Sequence, residues 1–434
     1  MELLSNLGDG FFIALSWQNL GLALLGCFLG TIMGALPGLG PSNGVAILIP
    51  LAFTLGLGAT PSLILLTSVY YGAMYGGRIS SILLGIPGDE PAMMTVLDGY
   101  PMAKKGLAGE ALSLSGIASF IGAFLATWGL ILLAPQLVKI ALLFGPAEYF
   151  MLMMLGLVAA ASVGRGSPIK GIAMVLLGLL LATVGTDVNT GFQRFTFGLP
   201  ELSNGIGLIP IAMGLFALTE VISSVGKKAV APPNQSLRLR DQLPNRREWR
   251  LSWPAMLRGS GLGAAFGALP GTSGGMATFI AYAIEKRISK RPEAFGKGAI
   301  EGLAAPEACN NAGIGTAMIP SLTLGIPGDA VMALLLAAMM LHGIQPGPLV
   351  MVMEPQLFWG LIASFWIGTV FLLILNIPLI GVWVRLLQIP YPLLFPGIVL
   401  FTCIGVYSTA HSIFDLYLVL LFGLFGYLLH LLRL

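Results

Sequence analysis

The chain has 434 residues, of which 56% are hydrophobic and only 9% charged, and its mean hydropathy is +0.90. Soluble globular domains carry about 25% charged residues, so this composition excludes a water-exposed surface over most of the protein. The net charge is only +3, and no nucleic-acid partner is expected. Apolar stretches of roughly 17–25 residues, the length of a bilayer span, recur along the chain. We therefore expect an all-α polytopic integral membrane protein embedded in a lipid bilayer.

Basic residues set the sidedness of the predicted spans. Residues 1–77 contain no Lys or Arg, whereas residues 226–252 contain seven. By the positive-inside rule the 226–252 loop is cytoplasmic and the N-terminus lies outside. The later spans are predicted at about 109–134, 146–163, 168–185, 205–225, 355–380, 391–408 and 412–432.

Two pairs of matching motifs indicate an internal repeat. GALPGLGPSNG at 34–44 and GALPGTSGG at 267–275 start 233 positions apart, and each follows a GxxxGxxxG run. Further on, LLGIPGDEPAMM at 83–94 corresponds to TLGIPGDAVMAL at 323–334. We interpret the GxxxG runs as sites of close helix packing.

The two copies begin on opposite faces of the membrane, which predicts inverted-topology repeats with discontinuous or re-entrant helices at the Pro-Gly motifs. In this organisation, residues 1–225 form the first membrane repeat and 226–252 the basic cytoplasmic linker. Residues 253–434 form the second repeat, which is expected to be one span short at its C-terminus. Such repeats are typical of secondary transporters.

Each Pro-Gly break frees backbone N–H and C=O groups, which cost several kcal/mol in hydrocarbon unless protein, water or a ligand satisfies them. The helix that restarts after a break has unpaired N–H donors and partial positive charge at its N-terminus. Two such termini meeting near the midplane are predicted to bind a carboxylate. The alternative is a tight turn at the membrane surface. The predicted substrate-binding residues in the breaks are Gly38, Gly40, Ser42, Asn43, Gly44, Gly271, Thr272, Ser273 and Gly274.

The two GIPGD motifs end in Asp89 and Asp329. Ionisable groups at membrane depth are expensive and usually functional. These aspartates, with the preceding Gly88 and Gly328, are therefore candidates for binding a coupling ion, either Na⁺ or H⁺. Capping the N-terminus of the following helix is the competing role, and one side chain can serve both.

Polar side chains also occur between the motifs. Asn310 and Asn311 lie in APEACNNAG, shortly after Glu307. The two amides are predicted to line the substrate pocket, with hydrogen bonding between helices as the alternative. Arg78 is either an anion partner or a side chain that extends to the membrane interface.

Several long motifs resemble the large membrane subunit of the tripartite tricarboxylate transporters, the TctA family. They are the two Pro-Gly motifs, YGGRISSILLGIPGDEPAMMTVLDGYPMAKKG at 76–106, FGKGAIEGLAAPEACNNAG from 295 and IPSLTLGIPGDAVMALLLAAMMLHGIQPGP up to 348. The resemblance implies a carrier in the bacterial inner membrane, with no cofactor. It also implies a small four-span membrane subunit and a periplasmic solute-binding protein as partners. Uptake of a di- or tricarboxylate would be driven by an ion gradient, and the sequence contains no Walker-type P-loop.

Two other functions compete with the carrier. A passive anion channel would conduct without saturation or coupling. An intramembrane hydrolase could use Ser273 in GTSGG as a nucleophile, but it needs a base within reach. The histidines His342, His411 and His430 are all in the second half, at or near the predicted membrane faces. We therefore expect that the protein is not an enzyme.

Overall fold

The computed structural model describes residues 2–36, 39–163, 168–187, 190–224, 244–269, 274–386 and 391–432, and these are mainly α-helical. The helices of the first half are α1 (Glu2–Ala14), α2 (Trp17–Ala35), α3 (Gly40–Thr54), α4 (Ala59–Leu84), α5 (Met93–Lys104), α6 (Ala108–Ala141), α7 (Pro146–Val163), α8 (Pro168–Ala182), α9 (Leu208–Ala212) and α10 (Thr219–Ser224). A π-helical segment, Met213–Leu218, joins α9 to α10.

The second half repeats the same succession of helices before it diverges. Its helices are α11 (Arg246–Gly267), α12 (Gly274–Ile288), α13 (Ile300–Leu324), α14 (Ala330–Leu341), α15 (Val350–Met353), α16 (Pro355–Asn376), α17 (Ile380–Leu386), α18 (Tyr391–Ala410) and α19 (Ile413–Leu431). Among the described residues, α2, α6, α16 and α19 are long and apolar enough to cross a membrane. The prediction of a helical membrane protein is confirmed, while the inverted topology and the re-entrant helices stay predictions.

The first GxxxG run forms a close helix crossing. On α2, Gly26 faces the carbonyl oxygen of Leu65 in α4, and Gly30 faces the carbonyl oxygen of Val69. A Cβ built on Gly30 would lie only 2.9 Å from the Cα of Gly72. Because glycine has no side chain, the two backbones can approach so closely that no Cβ would fit between them.

The second GxxxG run forms an equivalent crossing between α11 and α13. Gly259 faces the carbonyl oxygen of Ala305, and Gly263 faces that of Cys309. Leu65 and Val69 in the first crossing correspond to Ala305 and Cys309 at an offset of 240 positions. The internal repeat is therefore present in backbone contacts as well as in sequence, and the interpretation of the GxxxG runs as packing sites is confirmed.

The chain divides into two compact units. The first contains Met1–Val45, Leu57–Gly145 and Lys228–Pro390. In it, α2 packs on α4, α13 packs on α6 and α11, and α1 packs on α16. Each unit draws on both halves of the chain, and the predicted division into two repeats at the 226–252 linker stays a prediction.

The second compact unit contains Ala46–Gly56, Pro146–Lys227 and Tyr391–Leu434. Here α7 packs on α8, and α19 packs on the π-helical segment and on α18. Gly423 of α19 lies against the Leu218 side chain. These contacts again place a small residue at a helix crossing.

Two details differ from the sequence predictions. Helix α11 already begins at Arg246, inside the predicted linker, because Asn245 and Glu248 form a reciprocal capping box at its N-terminus. A short antiparallel hairpin, Gly185–Thr186 paired with Gln193–Arg194, follows α8 in a chain that we predicted to be all-helical. The ion pair between Arg194 and Asp187 at 2.9 Å accompanies it.

Candidate functional site

Helices restart directly after both Pro-Gly breaks. Helix α3 begins at Gly40, whose φ is +59°, a conformation that favours glycine. Ser42, Asn43 and Gly44 follow in its first turns, and α12 begins at Gly274. Each start therefore offers N–H donors, as the breaks predict. The remaining predicted residues of the breaks lie outside the described part of the chain, namely Gly38, Gly271, Thr272 and Ser273.

The start of α12 lies against the residues that follow the first GIPGD motif. A Cβ built on Gly274 would be 3.2 Å from the Pro91 Cγ. The Thr278 hydroxyl donates to the Pro91 carbonyl oxygen at 3.3 Å. A Cβ on Gly275 would meet the Glu90 side chain at 2.5 Å. The start of α12 and the segment that follows the GIPGD motif of the first copy are thus neighbours.

Both GIPGD motifs terminate a long buried helix in the same way. Helix α4 ends at Gly85 and α13 at Gly325, and both glycines adopt the left-handed conformation, with φ of 69° and 71°. Such a residue is a common helix C-terminus and is usually glycine. The next glycines then pack on the helix that has just ended, Gly88 against Gly77 and Gly328 against Ala317.

The two GIPGD aspartates each accept from a backbone N–H three residues further on. The Asp89 Oδ1 accepts from the backbone N–H of Ala92 at 2.8 Å, and the Asp329 Oδ1 accepts from that of Met332 at 2.8 Å. Asp329 thereby caps the N-terminus of α14, whereas Asp89 binds the segment just before α5, whose N-cap is Ala92 and has no side-chain cap. The second oxygen of Asp329 accepts from the Tyr70 hydroxyl at 2.5 Å, which links α4 to the start of α14.

The two adjacent asparagines are buried in α13. Asn311 donates through Nδ2 to the Glu307 carbonyl oxygen at 3.1 Å, one turn earlier in the same helix. The amide oxygens of Asn310 and Asn311 are buried and have no hydrogen-bond partner within the described ranges. Asn310 also lies beside the start of α12, because a Cβ on Gly274 would be 3.9 Å from its Oδ1.

A buried carboxylate joins three helices next to this region. Glu307 of α13 is 1% exposed. One of its oxygens accepts from the Thr95 hydroxyl of α5, and the other accepts from the Ser119 hydroxyl of α6 at 2.9 Å. We did not single out Thr95 or Ser119 from the sequence, because a lone hydroxyl on an apolar helix carries no distinguishing pattern.

Arg78 is the buried cation nearest this carboxylate. Its side chain is 1% exposed, so it does not extend to the membrane interface. The Nη1 donates to the Leu112 carbonyl oxygen and, at 2.9 Å, to the Ser115 hydroxyl. The guanidinium lies against Gly116, which leaves room for it.

Asp98 of α5 connects the two halves at the predicted cytoplasmic end. Its Oδ1 accepts from the backbone N–H groups of Gly298 and Ala299, both at 2.7 Å. Its Oδ2 accepts from the Tyr282 hydroxyl at 2.9 Å. The loop between α12 and α13 is therefore tied to α5 through one carboxylate.

The described residues offer little support for a hydrolytic centre. His342 follows α14 and His411 follows α18, while His430 lies in the last turn of α19. Within the described ranges, no group of three His, Cys, Asp or Glu side chains could hold a metal ion. Ser273, the hypothetical nucleophile, lies outside those ranges.

Apolar helices, repeated close crossings and buried charged groups define a multi-pass membrane protein with an internal repeat. The chain matches the tripartite tricarboxylate transporter TctA family over residues 20–434 and belongs to that family. This confirms the resemblance noted in the sequence and places the chain in a family of transporters.

Two curated relatives are similar to this chain. An uncharacterized 52.8 kDa protein in the TAR-I ttuC' 3'region of Agrobacterium vitis is 46% identical over 429 residues, covering 99% of this chain and 85% of the relative. An uncharacterized protein in the TAR-II ttuC' 3'region of the same organism is 53% identical over 167 residues, covering 38% of this chain and 69% of the relative. No solved structure matches the chain significantly.

Proposed function

We propose that the protein is the large membrane subunit of a secondary carrier that takes up a di- or tricarboxylate across the bacterial inner membrane. A gradient of Na⁺ or H⁺ drives uptake, and the partners are a small four-span membrane subunit and a periplasmic solute-binding protein. In this proposal the N-terminus is periplasmic and the 226–252 loop cytoplasmic, as the basic residues favour. Membership of a transporter family supports this class of function.

One observation carries the proposal: the N-terminal turn of α12 lies against the segment that follows the first GIPGD motif. A helix N-terminus favours an anion through its free N–H groups and its partial positive charge. In the proposed site, substrate carboxylates accept from the N–H groups at the starts of α3 and α12. Asp89 and Asp329 are the candidates for binding the coupling ion, and Asn310 and Asn311 are candidates for lining the pocket.

The experiment is uptake of labelled carboxylates into proteoliposomes that contain the full chain, the small subunit and the loaded binding protein. We expect saturable uptake that follows an imposed Na⁺ or H⁺ gradient. Uptake that required ATP, or that ignored both gradients, would contradict the proposal. Saturable counterflow separates a carrier from a passive channel, which would conduct without saturation.

A pair of glycine variants tests the location of the site. Gly275→Ala introduces a methyl group that would lie 2.5 Å from the Glu90 Cγ, whereas Gly261→Ala meets no atom within 4 Å. We expect Gly275→Ala to reduce uptake at least tenfold and Gly261→Ala to leave it unchanged. Equal uptake by both variants would place the substrate elsewhere. Ser273→Ala distinguishes the hydrolase, since it would abolish turnover in an enzyme that uses this nucleophile.

A further inference from the structure

The two GIPGD aspartates use one oxygen identically and the other differently. Both Oδ1 atoms accept from the backbone N–H three residues further on, with bonds of 2.8 Å. The Asp329 Oδ2 accepts from the Tyr70 hydroxyl at 2.5 Å. The Asp89 Oδ2 is buried and has no hydrogen-bond partner in the described part of the chain. The two aspartates therefore make equivalent hydrogen bonds to the backbone, but their second carboxylate oxygens have different surroundings.

The internal repeat identifies the side chain that corresponds to Tyr70. At the offset of 240 positions, Asp329 corresponds to Asp89 and Tyr70 corresponds to Asn310. The same offset relates the closely packed carbonyl groups of Val69 and Cys309 at the helix crossings. By this correspondence, Asn310 faces Asp89 as Tyr70 faces Asp329. Asn310 is 4% exposed, and its Oδ1 has no hydrogen-bond partner among the described residues.

Local contacts agree with this placement. A Cβ built on Gly274 would be 3.9 Å from the Asn310 Oδ1 and 3.2 Å from Pro91, two residues after Asp89. The amide oxygen thus lies at the segment that carries the aspartate.

Two buried oxygens that lack a donor are complementary to a cation. A buried carboxylate oxygen without a partner is unfavourable, and an amide oxygen cannot donate to it. Carboxylate and amide oxygens are the ligands that hard cations prefer. The single formal charge of Asp89 offsets one positive charge, which favours a monovalent ion. At Asp329 the Tyr70 hydroxyl already donates to the second carboxylate oxygen, where a cation would otherwise bind.

We propose that Asp89 and Asn310 bind the coupling cation as Na⁺, whereas Asp329, paired with Tyr70, is its structural counterpart. This inference rests on the proposed carrier function, and it assigns the ion and its ligands. It also moves Asn310 from the substrate pocket to the cation site.

The test measures the thermal stability of the purified full chain while NaCl replaces choline chloride at constant ionic strength. We expect a saturable rise in Tm for the wild-type protein. Asp89→Asn should abolish this rise, and Asn310→Ala should shift its midpoint to at least tenfold higher Na⁺. Tyr70→Phe, which removes the hydrogen bond to Asp329, is the matched control, and it should retain the wild-type Na⁺ midpoint even if its Tm in choline is lower.

Two results would overturn the inference: a wild-type protein with no Na⁺-dependent rise, or a rise lost equally in Asp89→Asn and Tyr70→Phe. If Asp89→Asn fails to fold, as judged by gel filtration, Asn310→Ala decides the question through its Na⁺ midpoint. Uptake in proteoliposomes separates this inference from the carrier itself. Uptake driven by a pH gradient without Na⁺ would retain the carrier and refute the sodium site, whereas no uptake under any gradient would refute the carrier alone.

Discussion

Placing a methyl group at Gly263 should destabilise the protein, because this glycine forms the crossing between α11 and α13. A Cβ there would lie 2.7 Å from the carbonyl carbon and 2.8 Å from the Cα of Cys309. Carbon atoms in contact prefer separations of about 3.5–4.0 Å, so the helices must move apart. Gly261, two residues earlier on the same helix, is the matched control, because a Cβ there meets no atom within 4 Å.

The magnitude follows from the difference between the two variants. Both replacements gain the same helix propensity, about 1 kcal/mol, which cancels in the comparison. Gly263→Ala adds the cost of overpacking, typically about 1–3 kcal/mol. A change of 1 kcal/mol shifts Tm by about 2–4 °C in chains of 150–250 residues. Since this chain is longer, we expect Gly263→Ala to melt about 2–6 °C below Gly261→Ala.

The assay is thermal unfolding of both variants in the same detergent, followed by intrinsic fluorescence. The first repeat provides an independent replicate, in which Gly30→Ala meets the backbone of α4 while Gly21→Ala meets nothing within 4 Å. Equal Tm values within both pairs would refute the argument that these glycines permit the crossings. A difference in only one pair would limit the argument to that repeat.

Variants at three further positions test charged groups that join helices. Glu307→Ala removes the acceptor for Thr95 and should lower the free energy of unfolding by about 3–5 kcal/mol. Glu307→Gln keeps an acceptor, so its loss of stability should be smaller. Equal Tm values for Glu307→Ala and Glu307→Gln would contradict this expectation. Arg258 forms a two-bond ion pair with Glu285 at 2.6 and 2.8 Å, and the Glu285 side chain is only 3% exposed. Arg258→Ala should therefore lower the free energy of unfolding by about 1–3 kcal/mol, and Tm with it. Arg258→Lys should give a Tm between those of the wild-type protein and Arg258→Ala. An unchanged Tm in Arg258→Ala would show that the ion pair does not contribute to stability. Asp98→Ala removes two hydrogen bonds from the loop before α13 and one from Tyr282 of α12, so trypsin should cleave that loop faster than in the wild-type protein. Unchanged cleavage would show that Asp98 does not hold the loop in place.

The sequence by itself determined the helices, the internal repeat and the glycine crossings. These features depend on local patterns: apolar stretches set the helices, and glycines every four residues give one smooth helix face. The boundaries of α7 and the starts of α3 and α12 followed from the same patterns. The family was recognisable from long motifs for the same reason, since their residues are contiguous in the chain.

Only the tertiary structure decided which polar groups meet. Thr95 and Glu307 are 212 positions apart, and Tyr70 and Asp329 are 259 positions apart. No local pattern specifies such partners, because hydrogen bonds depend on side-chain positions within a few ångströms. The repeat predicted that Asp89 and Asp329 would be equivalent, but Tyr70 donates to one of them and no described residue donates to the other. That difference accompanies one difference between the repeats, since the tyrosine that donates to Asp329 corresponds to Asn310 in the second copy.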